Sequence, residues 1–64
     1  MEQVTVECLE TGVKTKADVL GRSAFYLRIV FENTTTPLTM WRSTPRKPYV
    51  GRIAGLEFVV RRFG

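Results

Sequence analysis

The chain has 64 residues, a single cysteine, no histidine and a net charge of +4. A chain this short buries only about 60% of its unfolded surface, so it is expected to be one domain, residues 1–64, with little room for a deep cleft. With Cys8 alone no disulfide can form within the chain, and without His the usual Cys/His metal sites are excluded, which suits a reducing, cytoplasmic compartment.

Alternation of apolar and polar residues dominates from the start. In 3–9, Val4, Val6 and Cys8 alternate with Thr5 and Glu7. This opening is acidic and strand-like, so it is not expected to be a signal peptide. Glu10-Thr11-Gly12 follows as a turn. A second strand is predicted over 13–20, where Val13, Thr15, Ala17 and Val19 alternate with Lys14, Lys16 and Asp18. After Gly21-Arg22-Ser23 comes a third strand over 24–32, with Phe25, Leu27, Ile29 and Phe31 on one face and Tyr26, Arg28, Val30 and Glu32 on the other. Asn33 to Thr36 form a loop. A fourth strand spans about 37–43, with Leu38 and Met40 inward. Ser43 to Gly55 contains Pro45, Pro48, Gly51 and Gly55, and reads as a loop with one helical turn near Tyr49 to Ile53. A fifth strand spans about 56–62, with Leu56, Phe58 and Val60 inward.

Five short strands with period 2 and turn residues between them predict an all-β fold. A small five-stranded antiparallel barrel, OB-like or Sm/SH3-like, buries one face of every strand and removes most free edges. No apolar run reaches the roughly 20 residues of a membrane helix, so no membrane partner is expected.

Charge is unevenly spread. Residues 1–32 carry Lys14, Lys16, Arg22 and Arg28 against Glu2, Glu7, Glu10, Asp18 and Glu32, a net of −1. Residues 33–64 carry Arg42, Arg46, Lys47, Arg52, Arg61 and Arg62 against Glu57 alone, a net of +5. Such an asymmetry points to a polyanionic partner, or simply to a soluble basic surface.

If the 33–36 loop sets Glu32 opposite Pro37, then Val30 faces Thr39 and Arg28 faces Trp41. Tyr26, Arg28, Thr39 and Trp41 then share the outward face. An exposed Trp and Tyr beside an Arg form a platform on which bases stack, and Arg46, Lys47 and Arg52 can follow phosphates. The other reading packs Trp41 under the 43–55 loop with Arg28 stacked on it. Arg61 and Arg62 are either a second phosphate contact or a solvated end. Cys8 and Met40 read as core.

No catalytic constellation is visible. The common general base, His, is missing, the carboxylates are scattered singly, and Ser23 and Ser43 have no base beside them. The expectation is a non-enzyme without cofactor or metal.

Three stretches, ADVL (17–20), YLRIVFEN (26–33) and RKPYVGRIAGLEFVV (46–60), resemble bacterial translation initiation factor one, an OB-fold family. The likeness covers residues 17–60. Thr34 stands where that family has Gly, the strand at 3–9 is extra, and the family's final strand has no counterpart here. The resemblance implies binding to a ribosomal RNA surface, with Arg46, Lys47, Tyr49 and Arg52 near phosphates. Residues 4–20 also look like the opening of Sm-like proteins, with Ala17 in the place of a usual Gly; some small Sm-like barrels bind proteins.

These readings combine into a non-catalytic RNA-binding barrel for single-stranded RNA or a ribosomal RNA surface, by electrostatic capture plus stacking on Trp41, Tyr49 or Tyr26. The alternative is a small protein-binding regulator or inhibitor that uses an exposed strand edge or the Trp41 face. A ring of identical barrels shares the fold, and the sequence leaves the oligomeric state open.

Overall fold

The computed structural model describes residues 2–61. Six strands follow one another: β1 (Gln3–Cys8), β2 (Lys14–Arg22), β3 (Tyr26–Phe31), β4 (Pro37–Trp41), β5 (Tyr49–Ile53) and β6 (Leu56–Val60). Each pairs antiparallel with the next, and β6 returns to β1 through Glu7↔Val59 and Cys8↔Phe58, closing the barrel. The all-β antiparallel barrel expected from the alternation is present, with six strands instead of five. Its order is an up-and-down meander, whereas the OB-fold is a five-stranded Greek-key barrel. Closure leaves no full-length free edge among the described residues, though β4 meets β5 through the single pair Trp41↔Val50 and β1 meets β6 through two pairs.

The additional strand is the segment that the sequence presents as a loop with a helical turn. Tyr49–Ile53 is β5, running from Tyr49↔Val60 to Ile53↔Leu56 against β6. Two features hide it. Gly51 interrupts the strand because its position faces the core: a Cβ there would lie 2.9 Å from the Met40 Cγ and 3.5 Å from Leu38. The hairpin turn is Ala54-Gly55, with φ of 53° and 79°. Two successive positive φ values are the type I′ geometry that favours Asn-Gly, and Ala gives no such signal. An Ala at positive φ is strained. Ala54→Asn is therefore expected to raise stability by about 0.5–1 kcal/mol, read as a higher denaturant midpoint with an unchanged slope.

The interior comes from alternate positions of β1 to β5, while on β6 the consecutive Val59 and Val60 are both buried. Val4 and Val6 on β1, Ala17 on β2, Leu27 and Ile29 on β3, Leu38 and Met40 on β4, Tyr49 on β5 and Val60 on β6 form one buried cluster, with Cys8 also buried. Val19, Phe31, Ile53 and Phe58 pack against it, and the Phe31 and Phe58 rings meet at 5.3 Å. The predicted inward faces hold in mid-strand and fail at the ends. Val13, Thr15, Phe25 and Leu56 have inward parity or adjoin it, yet they are exposed where the barrel opens. The register of β2 on β3 shifts between Val19 and Gly21, which leaves Leu20 as an unpaired, exposed bulge residue.

Glu10 ties the two turns at one end. Its Oε2 accepts the Glu57 N–H at 3.1 Å, while the Leu9 N–H donates to the Glu57 carbonyl at 2.9 Å. The Glu57 N–H, followed by its own N–H, holds the Glu10 carboxyl below the usual carboxylate range. A lowered folded-state value gives stability that is present above the unfolded value and is lost as pH falls through the folded one. Glu10→Gln should therefore flatten the acid limb of a stability–pH profile, measured as denaturant midpoints from neutral pH downward.

Candidate nucleic-acid interface

β3 and β4 build one exposed wall. Their pairs run Tyr26↔Trp41, Leu27↔Met40, Arg28↔Thr39, Ile29↔Leu38 and Val30↔Pro37. Leu27, Ile29, Leu38 and Met40 face the core, so Tyr26, Arg28, Thr39 and Trp41 face outward. The expected register, with Arg28 opposite Trp41 and Glu32 opposite Pro37, is displaced by two residues. An even displacement keeps every side chain on its face, which is why the outward set survives the correction. The loop is longer than the sequence suggests: the Thr34 N–H and hydroxyl both donate to the Phe31 carbonyl, and Asn33 takes φ 67°.

Trp41 is 60% exposed. It does not pack under the following loop, and its ring neighbour is Tyr26, with centroids 6.0 Å apart and planes tilted by 51°. Arg28 lies further along the wall, opposite Thr39, rather than over the indole. β5 continues the wall: Trp41 pairs with Val50, and Arg52, two residues on, also points outward.

The loop 42–48 carries Arg46 and Lys47, both exposed. Its base is fixed to the β2–β3 connection. The Arg42 N–H donates to the Phe25 carbonyl at 2.9 Å, and the Arg42 Nε donates to the Ala24 carbonyl at 2.6 Å. Within the loop, the Lys47 N–H donates to the Thr44 carbonyl. The loop's two exposed cations are thus held at the same end of the barrel as Tyr26 and Trp41.

Tyr49 is elsewhere. It is buried, its hydroxyl donates to the Ser23 carbonyl at 2.6 Å, and the Arg42 guanidinium lies 4.1 Å from its ring centroid. The Arg42 guanidinium lies over its ring within the protein, so the sequence expectation of an open Tyr49 ring is not met. Nothing in the local alternation marks this, because the partners come from residues 23 and 42.

The cations divide into held and unheld. Arg22 pairs with Glu2, Arg52 with Glu57 and Arg61 with Glu7, all as exposed pairs. The sequence puts Arg52 among the phosphate contacts; in the structure it leans toward Glu57, across the β5–β6 hairpin. Arg61 is held by Glu7, and Arg62 lies outside the described residues. Arg28, Arg46 and Lys47 carry no ion pair among the described residues. The site read from the sequence is therefore assembled in part: Tyr26, Arg28 and Trp41 on one wall, Arg46 and Lys47 on the adjoining loop, Arg52 at its far side and Tyr49 inside.

Among the described residues no group of His, Cys, Asp or Glu could hold a metal ion, and no helix is long and apolar enough to cross a membrane. Comparison of the chain with protein-family models, curated proteins and solved structures gives no match.

Proposed function

We propose that the protein is a non-catalytic binding domain for single-stranded RNA, with a ribosomal RNA surface as the target suggested by the likeness of residues 17–60 to initiation factor one. The observation that carries this reading is the exposed Trp41 ring set against Tyr26, with Arg28, Arg46 and Lys47 nearby and outside any ion pair among the described residues. Bases stack on the aromatic pair, and the cations neutralise phosphates. A barrel without a deep cleft can do this on its wall, since stacking needs only an open ring face.

Two consequences can be measured. Contact with about four phosphates of a single strand gives a log affinity that falls with log salt at a slope near −3. Trp41→Ala should weaken binding by about 1–3 kcal/mol and leave the denaturant midpoint nearly unchanged, because the ring lies mostly outside the core. Equal binding by the two proteins, in fluorescence anisotropy with a labelled oligonucleotide, would sink the stacking role.

A second reading has its own support. Besides Trp41 and Tyr26, Phe25 is 52% exposed and Leu20 48% exposed, so apolar area is open to solvent in β2 and next to the start of β3. That favours a protein partner docked on the Trp41 face. Such a complex would survive high salt and would be insensitive to Arg46 and Lys47, the opposite of the RNA reading.

A further inference from the structure

The end of the barrel beside Trp41 holds an open cleft of about 370 Å³, lined by Arg22, Ser23, Ala24, Arg42 and Tyr49. Strand alternation brings two arginines there. Arg22 sits opposite buried Leu27, and Arg42 follows outward-facing Trp41, so both side chains take the inward side where the barrel opens. Arginine at inward positions would be costly in mid-barrel; at the mouth its guanidinium stays in reach of water.

The cleft is built as well as basic. Arg42 is held at two points, its Nε on the Ala24 carbonyl and its guanidinium carbon over the Tyr49 ring. Its Nη amines have no hydrogen-bond partner among the described residues. A planar guanidinium held in this way is an oriented donor for an oxyanion, with little entropy left to lose. Ser23 adds a hydroxyl whose oxygen accepts the Phe25 and Tyr26 N–H groups, which leaves its own hydrogen to donate. Arg22 already holds an anionic group: the Glu2 carboxylate lies 3.3 Å from its Nη1. That pair is solvent-exposed and weak, so a more highly charged oxyanion displaces it.

We propose that this cleft seats one phosphate group of a bound nucleotide, held by Arg22 and Arg42 and next to the Trp41–Tyr26 stacking pair. This deepens the RNA reading and rests on it: the outward wall takes a base, and the mouth of the barrel takes the phosphate attached to it. The proximity follows from the chain, since Tyr26 is within three residues of the cleft-lining Ser23 and Ala24, and Trp41 is next to the cleft-lining Arg42.

The test compares adenosine 5′-monophosphate with adenosine by NMR titration of the full chain, following the Trp41 indole and the arginine Nε–H resonances. The monophosphate is expected to bind about tenfold more tightly than adenosine, as the added charge-assisted hydrogen bonds predict, and Arg22→Ala should abolish most of that difference. Arg42→Lys is the second variant, which keeps the charge and loses the planar fork; it should lose most of the preference too. Each variant is first shown to be folded by its dispersed amide spectrum. Equal affinity for the two ligands, or an unchanged preference in folded Arg22→Ala, would overturn the proposal. Arg46→Ala with Lys47→Ala separates the two claims, because it should weaken RNA binding and leave the monophosphate preference intact. RNA binding that persists in wild type while the preference is absent defeats the cleft alone. A monophosphate preference without RNA binding defeats the strand reading and leaves the phosphate seat standing.

Discussion

Leu27→Ala is expected to leave most of the chain unfolded at room temperature. Leu27 is fully buried, pairs with Met40 across the β3–β4 hairpin and belongs to the single core cluster. Removing a buried Leu side chain costs about 2–5 kcal/mol in lost transfer energy and residual cavity. A domain of this size rarely holds more than about 3–5 kcal/mol of stability in its core. Cys8 is a free thiol, so no cross-link restrains the unfolded chain. The substitution therefore removes most of the margin. Far-UV circular dichroism with a guanidinium titration reads the outcome as a lost or strongly lowered midpoint. A midpoint within experimental error of wild type would contradict the core described above.

The second large effect is on binding. Arg46→Ala combined with Lys47→Ala should weaken single-stranded RNA binding to a similar degree for every sequence and lower the salt slope by about 1.4, about 0.7 for each phosphate no longer neutralised on a single strand. The stability cost should be small. Both side chains are exposed on the 42–48 loop, neither is in an ion pair among the described residues, and the loop's anchors are Arg42 and Tyr49 instead. Anisotropy titrations at several salt concentrations give the slope directly. A double variant with wild-type affinity and wild-type slope would remove this loop from the interface, and with it the electrostatic half of the mechanism.

How much of this is legible in the sequence differs by element. β1 to β4 follow from alternation, because Val4, Val6, Ala17, Leu27, Ile29, Leu38 and Met40 are apolar residues that strands place on one side. β5 is not legible. Tyr49 to Ile53 begins after a Pro, carries Gly51 where the Met40 side chain crosses the barrel, and ends on a turn whose first residue is Ala54. Each of these hides the strand, and Gly51 is explained only by Leu38 and Met40 on the neighbouring strand. The outward set of Tyr26, Arg28 and Trp41 is legible despite a register error, since parity matters for facing and the error is even. Which of Trp41 and Tyr49 is exposed is not legible. That depends on Ser23 and Arg42 closing over Tyr49, a long-range arrangement with no local periodicity. Arg22 and Arg42 likewise read only as charge, because their meeting at one cleft requires the closed barrel.

On the proposed reading, this barrel takes a single-stranded polyanion on the Trp41 wall. A titration of the wild-type chain with labelled single-stranded RNA, at low and at high salt, tests it most directly. Micromolar or tighter binding is expected at low salt, weakening steeply as salt rises with a log–log slope near −3. Absence of binding at low salt by a folded sample, or binding with a flat salt response, would contradict it.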